Sequence, residues 1–170
     1  MKHLLMASVL WVISASAVFA GPQGFALHDT PQPVANVRYL NGDGSRGELA
    51  DFRGKTVLLN IWATWCPPCR EEMPTLDALQ AELGSDRFEV VTLSIDRAGV
   101  PVVRRFFDEI GVDNLNIYVD ETMLSSTALR AFGLPATILV DPEGRELGRL
   151  IGPAKWDDPE MVSFLRQFIQ

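Results

Sequence analysis

The sequence predicts an α/β domain with a central mixed β-sheet flanked by helices. Three observations carry this. Apolar runs of strand length alternate with stripes of helical period along the middle of the chain. The last third holds a hairpin pattern followed by one closing helix. The chain has 170 residues with 47% apolar content, which suits a single hydrophobic core.

The first twenty residues stand apart from that domain. Met1-Lys2-His3 is a short positive start, Leu4 through Phe19 is apolar or small, and Val18-Phe19-Ala20 precedes Gly21 as a cleavage-type triplet. Residues 1–20 read as a secretory signal peptide, with an uncleaved membrane anchor as the competing reading. The apolar run falls short of the roughly 20 residues that span a bilayer. The expected location is therefore periplasmic or secreted, tethered if the segment stays attached. Residues 21–33 carry Gly and Pro without an apolar period and read as a linker, so the folded domain is expected over 34–170.

Val37 to Leu40, the turn Asn41-Gly42-Asp43-Gly44 and Gly47 to Leu49 predict an N-terminal β-hairpin. Val57 to Trp62 is a short run, apolar but for Asn60, as expected of a strand covered on both faces. A helix follows from Pro67, with Leu76, Leu79 and Leu83 on one face and Gly84 as its stop. Phe88 to Ile95 predicts a second central strand. Val102, Val103, Phe106, Phe107 and Ile110 predict a helix. Asn116 to Val119 is expected as a strand and Ser126 to Phe132 as a short helix closed by Gly133. Ala136 to Val140 and Leu147 to Ile151 flank the turn Asp141-Pro142-Glu143-Gly144 as a hairpin. Asp158 caps the last helix, with Pro159 at its first position.

Composition excludes several functions. A formal charge of −7 argues against nucleic acid as a partner, because phosphate binding needs a basic face. Two cysteines and two histidines are too few for a thiolate zinc site or a His-rich metal centre. No metal or other cofactor is expected, and Met73, Met123 and Met161 fall at apolar helical positions that need no metal to explain them.

The cysteines sit where a predicted strand hands over to a predicted helix, in Trp65-Cys66-Pro67-Pro68-Cys69. The simpler reading is a disulfide staple. A loop this short removes only about 2 kcal/mol of unfolded-chain entropy, against more than about 4 kcal/mol for a long loop. A redox pair makes better sense of the spacing: unpaired amides at the helix N-terminus favour a thiolate at Cys66, and Cys69 lies one turn in, more buried, to resolve a mixed disulfide. Pro67 loses nothing at the first helical position, where the amide is unpaired anyway, but Pro68 removes a donor that could have faced the Cys66 sulfur, which favours a reductant over a strong oxidant.

The stretch Val57 to Cys69 resembles the active-site segment of the thioredoxin superfamily, and more closely that of the extracytoplasmic TlpA/ResA-type thiol–disulfide oxidoreductases. Leu49 to Lys55, Pro74, Phe132 to Thr137 and Gly152 to Trp156 extend the match, so the resemblance covers roughly residues 34 to 170. It implies a thioredoxin-like fold in which segment 97–119 is an extra helix and strand. It implies that Cys66 attacks and Cys69 resolves, that Pro135 is cis and lies against the disulfide, and that the Leu134 backbone pairs with a docked substrate strand. Ala136 stands where the family often has Thr.

The position six before the first cysteine, acidic in many thioredoxins, is Asn60, and an amide cannot shuttle a proton. Glu72, one helical turn beyond Cys69, matches an acidic residue of the subfamily and becomes the candidate proton acceptor. The competing reading has Glu71 and Glu72 facing solvent near a helix start. Trp62 is expected in the core, Trp65 and Pro67 on the substrate rim, and Trp156 packed at the start of the last helix.

Two functions follow. One is a disulfide reductase acting on cysteine-containing extracytoplasmic proteins. By resemblance these are apocytochrome c or copper-assembly proteins, with a membrane thiol reductase as electron donor. The other is a non-catalytic Cu(I) carrier of the same fold. A peroxidase needs its cysteine preceded by Pro and Thr at fixed offsets, which Trp65-Cys66 does not supply.

Overall fold

The computed structural model describes residues 21–169. The signal-peptide reading of residues 1–20 lies outside them. The chain runs β1 (Ala26–Pro33), β2 (Arg38–Asn41), β3 (Arg46–Glu48), β4 (Thr56–Trp62), α1 (Pro67–Leu83), β5 (Phe88–Ser94) and α2 (Val100–Ile110). It continues with β6 (Tyr118–Val119), α3 (Leu124–Ala128), β7 (Ala136–Val140), β8 (Arg145–Ile151) and α4 (Pro159–Arg166). The strands form one mixed sheet in the order β1-β8-β7-β4-β5-β6-β2-β3. β4 pairs in parallel with β5 and antiparallel with β7.

Every residue of β4, β5 and β7 is buried. Successive side chains of a strand point to opposite faces, so burial at both parities means that both faces of the sheet centre are covered. Trp62 closes β4 inside this core, with its ring stacked on Phe107 of α2 at 5.8 Å and tilted against Phe106 at 5.5 Å. The helix–strand insertion has a structural task. β6 adds to β5 in parallel and accepts β2 on its other side, which joins the β2–β3 hairpin to the sheet.

Segment 21–33, expected as a linker, is instead a 3-10 turn over Pro22–Gly24 followed by β1, which pairs antiparallel with β8. The period was missing because seven of the eight β1 residues are exposed, and backbone hydrogen bonds rather than apolar contacts hold the strand. Phe25 supplies the one buried anchor and packs against Phe164 of α4 at 5.4 Å. Gly148 makes the approach possible, because a side chain there would run into the Ala26 carbonyl and the Leu27 backbone.

The helix expected over 126–132 is α3, shorter and earlier. Met123 precedes it in the left-handed region (φ 61) and is not a helical residue, and Arg130 takes φ 56 soon after the helix ends. β6 keeps only the last two of the four residues expected.

Phe25→Ala should lower stability by about 3–5 kcal/mol, the usual cost of emptying a buried aromatic site. Urea unfolding measures it, and a loss below about 1 kcal/mol would return residues 21–33 to the status of a linker.

Candidate active site

β4 ends at Trp62, and four residues later Cys66 is the N-cap of α1. The intervening loop is held by a buried carboxylate. Asp96 accepts the Thr64 N–H at 2.8 Å, the Thr64 hydroxyl at 2.7 Å and the Ser94 hydroxyl at 2.7 Å. Hydrogen bonds to a charged acceptor are among the stronger ones, so the loop is tied to the end of β5. Cys66 N–H donates back to the Ala63 carbonyl at 3.1 Å.

Cys66 and Cys69 form a disulfide with an S–S distance of 2.05 Å and Cα atoms 5.3 Å apart. Cys66 is 5% exposed and Cys69 0%. Pro67 and Pro68 occupy the first two positions of α1 and carry no N–H. With the Cys66 amide already used, the first turn keeps only the Cys69 amide among the donors that helix geometry leaves unpaired.

Glu72 is 2% exposed, so the solvent-facing reading holds for Glu71 and not for Glu72. Its Oε1 accepts from Asn60 Nδ2 at 2.8 Å. Its Oε2 accepts from the Ala154 amide at 3.1 Å and the Trp156 indole N–H at 3.0 Å. Burial pushes the Glu72 carboxyl up from 4.5 to about 7, against the three hydrogen bonds, which pull it down. Asn60 Nδ2 also donates to Thr137 Oγ1 at 2.9 Å, while Asn60 Oδ1 is buried without a partner.

Around Cys66 opens a groove of about 440 Å³ lined by Trp65, Pro67, Pro68, Ile95, Phe132 and Leu134 among others, with no charged side chain in its wall. Trp65 is 60% and Phe132 84% exposed, so two aromatic rings stand in solvent beside one disulfide. The Leu134–Pro135 peptide is cis, as the resemblance implies. Leu134 makes no backbone hydrogen bond among the described residues.

The structure thus brings Cys66, Trp65, Pro67 and Leu134 to one groove, with Cys69 buried beneath Cys66 in the disulfide, Pro135 next to Leu134 in the chain and Glu72 buried one turn behind Cys69. Three residues were missed. Asp96 follows a strand as an ordinary carboxylate, Phe132 was read as the end of a helix, and Trp156 was assigned to packing alone. A carboxylate two residues beyond β5 was the one available signal, since strand ends in such sheets carry sites.

A family model described as the AhpC/TSA family matches residues 30–145. The thiol-disulfide oxidoreductase ResA of Bacillus subtilis is 33% identical over 131 residues, covering 76% of this chain and 70% of the relative. ResA of Halalkalibacterium halodurans is 33% identical, covering 81% of this chain and 79% of the relative. The thioredoxin domain of a thiol-disulfide oxidoreductase from Bacteroides vulgatus superposes with a TM-score of 0.69 at 22% identity. That match covers 84% of this chain and 99% of that one, and at this identity it speaks to the fold alone. With a redox-capable cysteine pair at a strand–helix junction and relatives of this kind, the chain belongs to the AhpC/TSA family as a ResA-type thiol-disulfide oxidoreductase of thioredoxin-like fold.

Proposed function

We propose that the chain is an extracytoplasmic dithiol reductant that acts through its Cys-Pro-Pro-Cys pair on disulfides of partner proteins. The observation that carries this is the placement of Cys66, the more exposed cysteine, at the mouth of an uncharged groove. The signal-type segment 1–20 supports the location. The two proline rings support the direction, because a thiolate facing one first-turn amide is only modestly stabilised, and strong oxidants need a well-stabilised thiolate.

In this reading the reduced Cys66 thiolate attacks a partner disulfide, forming a mixed disulfide and releasing one partner thiol. Glu72 takes the proton of Cys69. The Cys69 thiolate then attacks the Cys66 sulfur, releases the second partner thiol and leaves the Cys66–Cys69 disulfide. Two electrons pass to the partner. A membrane thiol reductase restores the dithiol, and cysteine-containing proteins of cytochrome c or copper-centre assembly are the partners the resemblance suggests. Trp65, Pro67, Phe132 and Leu134 form the docking surface. The exposed edge of the Leu134–Pro135 segment takes an extended partner backbone beside the disulfide.

Cys66→Ser should abolish reduction of a protein disulfide, and Cys69→Ser should accumulate mixed disulfides that survive non-reducing electrophoresis. Retained turnover in Cys66→Ser would end the reductase reading; one Cu(I) held by the pair with no disulfide reduction would favour the carrier. Phe132→Ser should raise KM for a protein substrate about tenfold, since burying an exposed aromatic ring against a partner contributes about 1–2 kcal/mol.

Glu72→Gln tests the proton acceptor. The variant fits the same space, because turning the Asn60 amide lets its unpartnered Oδ1 accept from the new carboxamide. Wild-type exchange should accelerate with pH through about 7, the value to which burial raises this carboxyl, and the variant should lose that limb. An unchanged pH–rate profile would remove Glu72 from the mechanism. The same group leaves a mark on stability. The folded state binds its proton more tightly than the unfolded chain, so wild-type stability should fall by about 3 kcal/mol as pH rises from 4.5 to about 7. Denaturation at a series of pH values should show this slope in the wild type and its loss in Glu72→Gln.

A further inference from the structure

The donors around Glu72 are divided unequally between its two oxygens. Oε2 receives the Ala154 amide and the Trp156 indole, whereas Oε1 receives Asn60 alone. Trp156 is 0% exposed, and its own backbone N–H donates to Thr75 Oγ1 at 3.2 Å. The Thr75 hydroxyl in turn donates to the Glu72 carbonyl at 2.7 Å. The indole is therefore fixed to the very turn of α1 whose carboxylate it contacts. A buried Trp usually finds a partner for its N–H, although the Trp62 indole has none, and that partner need not be an ionisable group.

We propose that Trp156 is a positioning residue for proton transfer: with the Ala154 amide it occupies Oε2 and leaves Oε1, on the Asn60 side, as the oxygen that takes and returns the proton. The assignment rests on the proposed role of Glu72 and deepens it. A carboxylic acid keeps one oxygen as a pure acceptor and carries the proton on the other. An oxygen holding two N–H donors has little room for a third hydrogen, so the split of donors selects the protonation site. Each donor also favours the charged form of a group that burial drives toward neutrality.

The groups that face Glu72 are few. Asn60 comes from β4, Ala154 and Trp156 from the segment after β8, and Thr75 from its own helix. None of these titrates, and no charged neighbour contributes to the shift of the carboxyl. Its titratable neighbour along the helix is Cys69, silent while the disulfide is closed. The oxidised protein therefore isolates the carboxyl, with Trp156 as its one side-chain donor on Oε2.

The test is a pH titration of the oxidised protein labelled with ¹³C at glutamate carboxyl carbons, the Glu72 signal being the one absent from Glu72→Gln. Trp156→Phe keeps an aromatic ring in the core and deletes the donor. Its Glu72 midpoint should rise by about one pH unit, the size of one hydrogen bond to a charged group. A midpoint that stays or falls overturns the proposal. A second measurement needs no variant: in the wild type the Trp156 indole N–H resonance should titrate with the same midpoint as the Glu72 carboxyl carbon. An indole resonance flat through that midpoint overturns the proposal too. If the carboxyl midpoint moves in Trp156→Phe while the pH limb of thiol exchange does not, the indole tunes Glu72 but Glu72 is not the proton acceptor, and the positioning role of Trp156 in proton transfer is overturned with it.

Discussion

Two-sided burial of β4 is the constraint on which the rest of the structure depends. The strand is paired along its whole length with β5 and over five residues with β7, and none of its side chains reaches solvent. A strand so enclosed cannot slip register without breaking its packing on both faces and its pairing with both neighbours, so its C-terminal end is a fixed point. The loop from Trp62 to Cys66 is short and tied down by Asp96, which carries that fixity into the first turn of α1. Cysteine position is thus inherited from the core, and chemistry at the surface is aimed by packing well below it.

The buried carboxylate behind the disulfide is subject to two opposed effects. Desolvation favours the neutral acid, and three N–H donors favour the anion. Burial wins by enough to bring the group near neutrality and by too little to keep it protonated at all working pH values. The donors come from β4 and from the segment after β8, remote in sequence from α1. The carboxylate acquires this environment only when the sheet is complete, which couples the acid–base behaviour of the site to the whole fold.

What was legible in the sequence follows from this division between local and remote causes. Cys66, Cys69 and Pro67 announce themselves within five residues, and the one-turn offset of Glu72 from Cys69 needs only helix geometry. The central strands were readable from side chains: a short run at 57–62 that is apolar but for Asn60, and an alternating, β-branched segment at 88–95. β1 was not, because an exposed strand held by backbone bonds leaves no side-chain period. Asp96, Phe132 and Trp156 escaped for another reason. Each acts across a long span of chain, and a carboxylate, a Phe and a Trp at those positions satisfy local patterns equally well without any role in the site.

β1 has a consequence beyond closing the sheet. It is one of the two strands that end the ladder, and its sequence Ala-Leu-His-Asp-Thr-Pro-Gln-Pro places prolines at 31 and 33, with a register break between Leu27 and Gln32. A proline offers no N–H to an incoming strand, and an irregular strand is a poor template for one. At the opposite margin β3 is three residues long and bears Arg46 and Glu48. The chain thereby presents two margins ill suited to pairing with an incoming strand. Both ends of the sheet are built to resist edge-to-edge self-association and fibril growth.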